Sequence, residues 1–158
     1  MAAHGFDVSL EHALSLTAHL DAPQVVGPVP DGFRMTFNVL GGRIEGPKIK
    51  GEFVPVGADW YMIRNDGVGI LDVRATIQTH DDALIYVTYM GKTDMGPTGL
   101  QDVLDGKAPP PEGHTIRTHP NFQTSHPDYE WLNRGFFVGI GKADLPNNTV
   151  SYDIYQLV

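Results

Sequence analysis
ADWYMIRNDGVGILDVRATIQTHDDALIYVTYMG, running from Ala58 to Gly91, is the stretch whose reading decides the fold. It divides into three extended segments at Asn65-Asp66-Gly67 and at His80-Asp81-Asp82. Asn, Asp and Gly tolerate the positive φ that tight hairpin connections require, so both points predict turns. Between them, Leu71, Val73, Ala75 and Ile77 alternate with Asp72, Arg74, Thr76 and Gln78. Successive side chains of a strand point to opposite faces. The middle segment therefore predicts one apolar face and one polar face, the latter carrying an acid and a base one pleat apart. The third segment repeats the alternation, with Ile85, Val87 and Tyr89 opposite Tyr86 and Thr88. Together they form an antiparallel meander.

On the N-terminal side, Phe6, Val8, Leu10, Leu14, Leu16 and Leu20 fall on even positions, broken by His12, and predict a strand. A helix from Ser9 is the competing reading, because Leu10, Ala13, Leu14 and Thr17 also fit a 3.6-residue period. Asp21 to Gly32 is rich in Pro and Gly and reads as a loop. Phe33 to Leu40 reads as a strand, and Gly41 to Pro47 as a tight connection with Arg43 and Glu45 on one side. Lys48 to Val54 follows as a strand whose Lys48, Lys50 and Glu52 face solvent. On the C-terminal side, Pro97 can open a short helix, with Leu100, Val103 and Leu104 covering one side, that serves as a lid or plug. Thr115 to Thr124 reads as a strand, and the aromatic PDYEWLNR of Pro127 to Arg134 as irregular. Phe136 to Gly141 and Val150 to Leu157 close the chain as two strands around a turn at Leu145 to Asn148. About nine hairpin-linked strands, with no repeat and no boundary, predict an all-β fold. The expected architecture is one antiparallel β-barrel domain over residues 1–158, with one short helix.

Composition narrows the function classes. Lys and Arg number 11 against 19 Asp and Glu, giving a net charge of −8. That balance argues against nucleic acid and against an anionic membrane surface, both of which reward clustered cations. The absence of cysteine excludes disulfides, thiolate nucleophiles and Cys-based metal sites. No apolar run approaches the roughly 18 residues of a transmembrane helix, and MAAHGFDVSLEH lacks the order of a signal peptide. The expected location is the cytoplasm.

The residue types that remain point to a small-molecule site. Asp72 and Arg74, with Trp60 and Tyr86 from the adjoining strands, form the leading candidate. An acid held beside a guanidinium in a partly dry cavity can act as a base, while Tyr or Trp supplies a hydrogen bond and a stacking face. The competing reading is a surface ion pair on the outside of the sheet. Which face of Gly69 to Thr79 points inward decides between them. Arg43 and Glu45, set between glycines, could reach the same cavity or form a solvated turn. Tyr129, Trp131 and Asn133 could line a ligand or pack a corner. His114, His119 and His126, even with Asp128 nearby, lack the helical spacing of a zinc motif. Ser125-His126 has no nucleophile elbow and no identifiable acid partner. Gly139-Ile140-Gly141 lacks the third glycine and the helix of a dinucleotide site. No metal and no cofactor is expected.

GGRIEGPK (Gly41 to Lys48), ADW (Ala58 to Trp60), DGV (Asp66 to Val68), LDVR (Leu71 to Arg74), DDALIYV (Asp81 to Val87) and YEWLNRGFFVG (Tyr129 to Gly139) occur in one order. As a series they resemble the family known as domain of unknown function 3237, over roughly Phe33 to the C-terminus. DDALIYV departs from the family pattern by lacking a glycine in the turn. The resemblance implies a small antiparallel barrel with an internal pocket that self-associates, most simply as a dimer, and it brings no activity with it. In plan such a barrel is similar to allene oxide cyclases and lipocalin-like binders, a likeness that does not fix function. The family motifs make Arg43, Glu45, Trp60, Asp72, Arg74, Tyr86, Arg117, Tyr129 and Asn133 the pocket candidates. The expected function is cofactor-independent acid/base catalysis, as isomerisation, cyclisation or hydration and elimination, on a small aromatic or polyketide-like molecule. Asp72 or Glu45 would be the base, Arg74 or Arg117 would hold a substrate oxygen, and Tyr86 or Tyr129 would donate a proton. Arg43, Trp60 and Asn133 complete the expected pocket. The alternative is a barrel that binds a small hydrophobic ligand without changing it.

Overall fold
A computed structural model of the chain describes residues 4–158. Nine strands alternate with short connections: β1 (Leu10–Leu20), β2 (Gln24–Val29), β3 (Gly32–Gly46), β4 (Ile49–Arg64), β5 (Val68–Thr79), β6 (Leu84–Asp94), β7 (Ile116–Gln123), β8 (Phe136–Asp144) and β9 (Thr149–Leu157). They join in the order β1-β9-β8-β7-β6-β5-β4-β3-β2, all antiparallel, and β1 also pairs with β3. That last pairing closes eight strands into a barrel and leaves β2 outside the ring as an extra strand on β3. The chain from Ser9 takes the strand rather than the helix, since Leu14, Leu16 and Ala18 point into the barrel while both edges of β1 are paired.

Glycine makes the closure possible. At Gly42, with φ at +146°, an added Cβ would lie 2.2 Å from the Thr17 carbonyl oxygen, and one at Gly46 would lie 2.3 Å from that of Ala13, so the close approach of β1 to β3 needs glycine at both points. The tight connection expected at Gly41 to Pro47 is instead the continuation of β3 through this kink. The strand expected at Lys48 to Val54 likewise runs on through a bulge between Phe53 and Gly57 as the single strand β4. The loop expected over Asp21 to Gly32 contains β2. Its Pro28 is tolerated because β2 pairs on one edge alone.

Helix is confined to two short pieces, α1 (Gly99–Leu104) and α2 (Glu130–Arg134), the latter continuing a 3₁₀ turn at Pro127–Tyr129. The expected short helix is α1, but Val103 and Leu104 stay exposed and only Gly99 is buried. PDYEWLNR, read as irregular, is this second helical corner. It plugs one end of the barrel. Tyr129 and Leu132 are buried there with Phe122, Phe137, Ile77 and Ile85. Among the described residues, no helix is long and apolar enough to cross a membrane.

Candidate active site
Register fixes which residues share the barrel interior. The Asn65 to Gly67 turn pairs Ile63 with Gly69, and the ladder then sets Asp59 against Val73 and Val73 against Tyr89. Phe37 of β3 stands opposite Asp59. Residues directly opposite one another project to the same face. Val73 is 3% exposed, so this face is the inner one. Asp59 therefore points into the barrel, on the side of the apolar residues, and Trp60 points out.

Around Asp59 the interior is aromatic and hydroxylated. The Phe37 and Tyr61 rings meet edge to face at 6.1 Å, and those of Tyr89 and Tyr152 do so at 5.7 Å. Thr93 and Thr118, both buried, add hydroxyls from β6 and β7. Small residues clear the space. A Cβ at Gly69 would fall 1.9 Å from the Tyr61 hydroxyl, and one at Gly141 would fall 2.2 Å from the Tyr152 ring. Gly139-Ile140-Gly141 thus owes its glycines to the inner wall, on which Gly139 faces Thr118. Phe33, Met35, Phe37, Asp59 and Tyr61 are inward-facing yet only partly buried, whereas Phe122, Phe137 and Leu132 at the plugged end are buried. The inner wall is thus least covered along β3 and β4, at Phe33 to Phe37, Asp59 and Tyr61.

The electrostatics follow from burial. The Asp59 carboxyl rises from 3.8 to about 7, mainly because burial disfavours its charge. The backbone N–H of Asp72 donates to Asp59 Oδ1 at 3.0 Å and pulls the other way, while the Asp72 charge adds to the rise. That N–H is free because the β4–β5 ladder skips from Asp59–Val73 to Met62–Ile70. Burial and the Asp59 charge push Tyr61 up to about 12, against the opposing effect of Thr93. Tyr89 and Tyr152 are raised further, again by burial first. The Tyr152 hydroxyl is buried and makes no hydrogen bond of ordinary geometry; the Tyr89 hydroxyl is the partner that faces it. Buried polar groups are normally paired, so this pair of hydroxyls has capacity left for a ligand atom.

None of the sequence-derived pocket candidates belongs to this interior, and the reading that gathered them there is corrected. Asp72 and Arg74 pair at 3.3 Å on the outer wall, because their parity is opposite to that of Leu71 and Val73. Arg74 lies over the outward Trp60 ring at 5.3 Å. Arg43, Glu45 and Arg117 are exposed outer-wall residues. Tyr86 and Asn133 line an open surface groove of about 760 Å³ with Thr76, Leu84, Gln123 and Thr124. There Asn133 is already satisfied, bonding the Thr124 backbone through both amide atoms at 2.9 Å. Tyr129 is buried at the plugged end and donates to Asp81 Oδ1 at 2.7 Å.

Two outer clusters invite a chemical reading. His12 Nε2 lies 2.9 Å from Ser15 Oγ, which donates to Asp153 at 2.6 Å. The serine, not the histidine, stands in the middle, so the histidine has no acid to orient it and this is no triad. Asp81, His126 and Asp128 bring one ligand atom each within 4.8 Å of one another. They are the described residues best placed to hold a cation, although His126 Nδ1 already accepts the Asp128 N–H at 3.3 Å. His119, by contrast, stacks on Phe136 with its Nδ1 at 2.9 Å from the Phe137 carbonyl.

The profile of the family described as Protein of unknown function (DUF3237) matches residues 8–157. The chain belongs to DUF3237. A UPF0311 protein of Rhodopseudomonas palustris is 32% identical over 149 residues, covering 94% of this chain and 95% of that protein. A protein of unknown function from Clostridium acetobutylicum ATCC 824, known from a crystal structure, superposes with a TM-score of 0.87 at 26% identity, covering 96% of this chain and 100% of that one. An enzyme from Penicillium herquei shares the fold at a TM-score of 0.71 and 22% identity, covering 100% of each chain. The Ala58 to Trp60 stretch thus divides its labour: Ala58 and Trp60 face out, and Asp59 faces in. Sequence parity across the Asn65 to Gly67 turn carries this signal, because it aligns Asp59 with Val73 and not with Asp72.

Proposed function
We propose that the interior cluster is an acid/base site for a small organic molecule, with Asp59 as the proton-transferring group. The observation that carries this reading is an inward, partly buried carboxyl that its surroundings raise toward neutrality, set among the Tyr61, Tyr89 and Tyr152 hydroxyls. General acid/base catalysis is most effective when the group titrates near the working pH. Pairs of groups pushed to opposite ends of the scale separate the roles. Asp59, divided between its two forms near neutrality, accepts a proton from carbon or oxygen. Tyr61, Tyr89 and Tyr152 stay protonated and donate hydrogen bonds to oxygen as negative charge develops there. Protonated Asp59 then returns the proton to another position. The cluster carries isomerisation, cyclisation or elimination in this way with side chains of its own. That the same barrel serves an enzyme in Penicillium herquei is a likeness of fold alone.

A generic base probe tests the assignment without knowledge of the natural substrate. In the elimination of 5-nitrobenzisoxazole a base removes the ring C–H proton, the N–O bond breaks, and a cyanophenolate leaves. Turnover by the intact protein should rise through one ionisation near 7 and fall about 100-fold or more in Asp59→Asn. Asp72→Asn should keep the turnover, with its ionisation moved slightly down as the repelling charge is removed. Equal rates in Asp59→Asn and the parent, or no turnover by either, would overturn the assignment.

A further inference from the structure
We propose that the Asp59 site takes an uncharged aromatic molecule bearing a phenol or enol hydroxyl, and turns carboxylates and phosphates away; the proposal rests on the inner site argued above. The inner wall is the first ground. Among the described residues, no Lys, Arg or His occupies an inward-facing strand position. Among the strand cations on the β3–β7 side, Arg34, Arg74, Lys92 and Arg117 share the outward parity of Trp60. Arg34 shows this directly, with its guanidinium nitrogens on the Trp60 carbonyl at 3.3 Å and the Met62 sulfur at 3.5 Å. Asp59 is the one inward carboxylate away from the rims on the described strands, Glu11 opposite Gln156 being exposed at the plugged end. An anionic ligand would bring a second negative charge into a poorly solvated space with no cation to offset it.

Hydrogen-bond complementarity supplies the second ground. Tyr152 Oη makes no hydrogen bond of ordinary geometry, the Tyr89 hydroxyl being its one neighbour, and Asp59 has an acceptor that takes one backbone N–H. A hydroxyl conjugated to an aromatic or enolic system meets both, since its proton goes to Asp59 and its oxygen accepts from the tyrosine. A carboxylate offers acceptors alone, and an ammonium offers donors alone. Phe33, Met35 and Phe37, partly exposed on β3, give an aromatic skeleton a surface to rest on.

The charge on Asp59 is set by the groups that face it from each neighbouring element. Asp72 on β5 gives a backbone N–H and a repelling charge, and Tyr61 on β4, Tyr89 on β6 and Tyr152 on β9 are unionised. Phe37 on β3 carries no charge. Rejection of anions should therefore strengthen as pH rises.

Three matched probes test this by titration calorimetry on the intact protein: 2-naphthol, 2-naphthoate and 2-naphthylmethylammonium. At about pH 8 the naphthol should bind at least about tenfold more tightly than the naphthoate, and the gap should narrow at about pH 5.5, where Asp59 is protonated. In Asp59→Asn, an isosteric change that keeps an acceptor for the Asp72 N–H, the gap should lose its pH dependence. Tyr152→Phe should weaken the naphthol while sparing the fold. Naphthoate binding as tightly as naphthol, or the ammonium binding most tightly, would overturn the substrate class and leave the acid/base site standing. Binding of no probe, or binding indifferent to both substitutions, would overturn the inner site itself.

Discussion

Asp59 and Asp72 stand on adjacent strands, one donating its backbone N–H to the other's side chain, and live in different solvents. Asp72 lies on the outer wall, its side chain 38% exposed and paired with Arg74. Asp59 looks inward, where burial outweighs its one hydrogen bond and moves its carboxyl to about 7. The lesson is that pleat parity, not residue type, assigns chemistry in a small barrel. Of the two acids in the same meander, the paired and conspicuous one is structural dressing on a wet surface. The unpaired one is the group under strain.

The strain is measurable as stability. Asp59 titrates higher in the folded protein than in the unfolded chain, so folding takes up a proton between the two values. Its contribution is fully present below 3.8 and is lost as pH rises to about 7, which is the reverse of the usual salt-bridged aspartate. At about 1.4 kcal/mol per pH interval, the cost of the ionised form is on the order of 4 kcal/mol. Asp59→Asn should therefore be more stable than the parent by that order at alkaline pH, and equal to it in acid. Urea denaturation at a series of pH values checks this. A parent whose stability is flat from pH 4 to 7, matched by Asp59→Asn throughout, would return Asp59 to the same class as Asp72.

The inner wall should also be far less forgiving than the outer. Gly141→Ala places a methyl 2.3 Å from the Ser151 carbonyl oxygen as well as 2.2 Å from the Tyr152 ring, and neither backbone nor buried ring can easily yield. The expected loss is about 3 kcal/mol, read as a lower denaturation midpoint. A methyl added on the opposite face, as in Ser151→Thr, should cost far less, because Ser151 is exposed. Equal losses at the two positions would mean that the Tyr152 side of the barrel is not packed as described.

Much of this could be read from the chain. The alternation in β5 and β6 gave their apolar faces correctly, and the same parity in β9 placed Val150, Tyr152 and Ile154 together. The turns at Asn65 to Gly67 and at Asp81-Asp82 were legible because positive φ selects Gly and Asp, and Asp82 indeed has φ at 67°. β2 was hidden, since a strand that pairs on one edge can keep its Pro and Gly. Asp59 was obscured for a different reason. Along this part of β4, Asp59, Tyr61 and Ile63 are no more apolar as a set than Trp60 and Met62. Alternation within β4 alone is silent there. Only register carried across the turn from β5 reveals that Asp59 is on the inside.

The smallest expected effect belongs to the pair that first drew notice. Arg74→Ala removes an ion pair whose members are 51% and 38% exposed, a geometry worth at most about 1 kcal/mol in water. It also removes the guanidinium from the Trp60 face, an exposed contact worth about 0.5–1 kcal/mol. Part of both is offset by the side-chain entropy released and by the better hydration of Asp72 once it stands alone. The net loss should stay below about 1 kcal/mol, and salt should erase much of it. A double-mutant cycle with Asp72→Asn isolates the pair. A coupling well above that limit would mean that the pair is shielded from water in solution. Trp60, Met90 and Tyr86, which lie exposed on the same outer wall, would then be covered as well, and the contrast between the two faces of this barrel would be one between two buried surfaces.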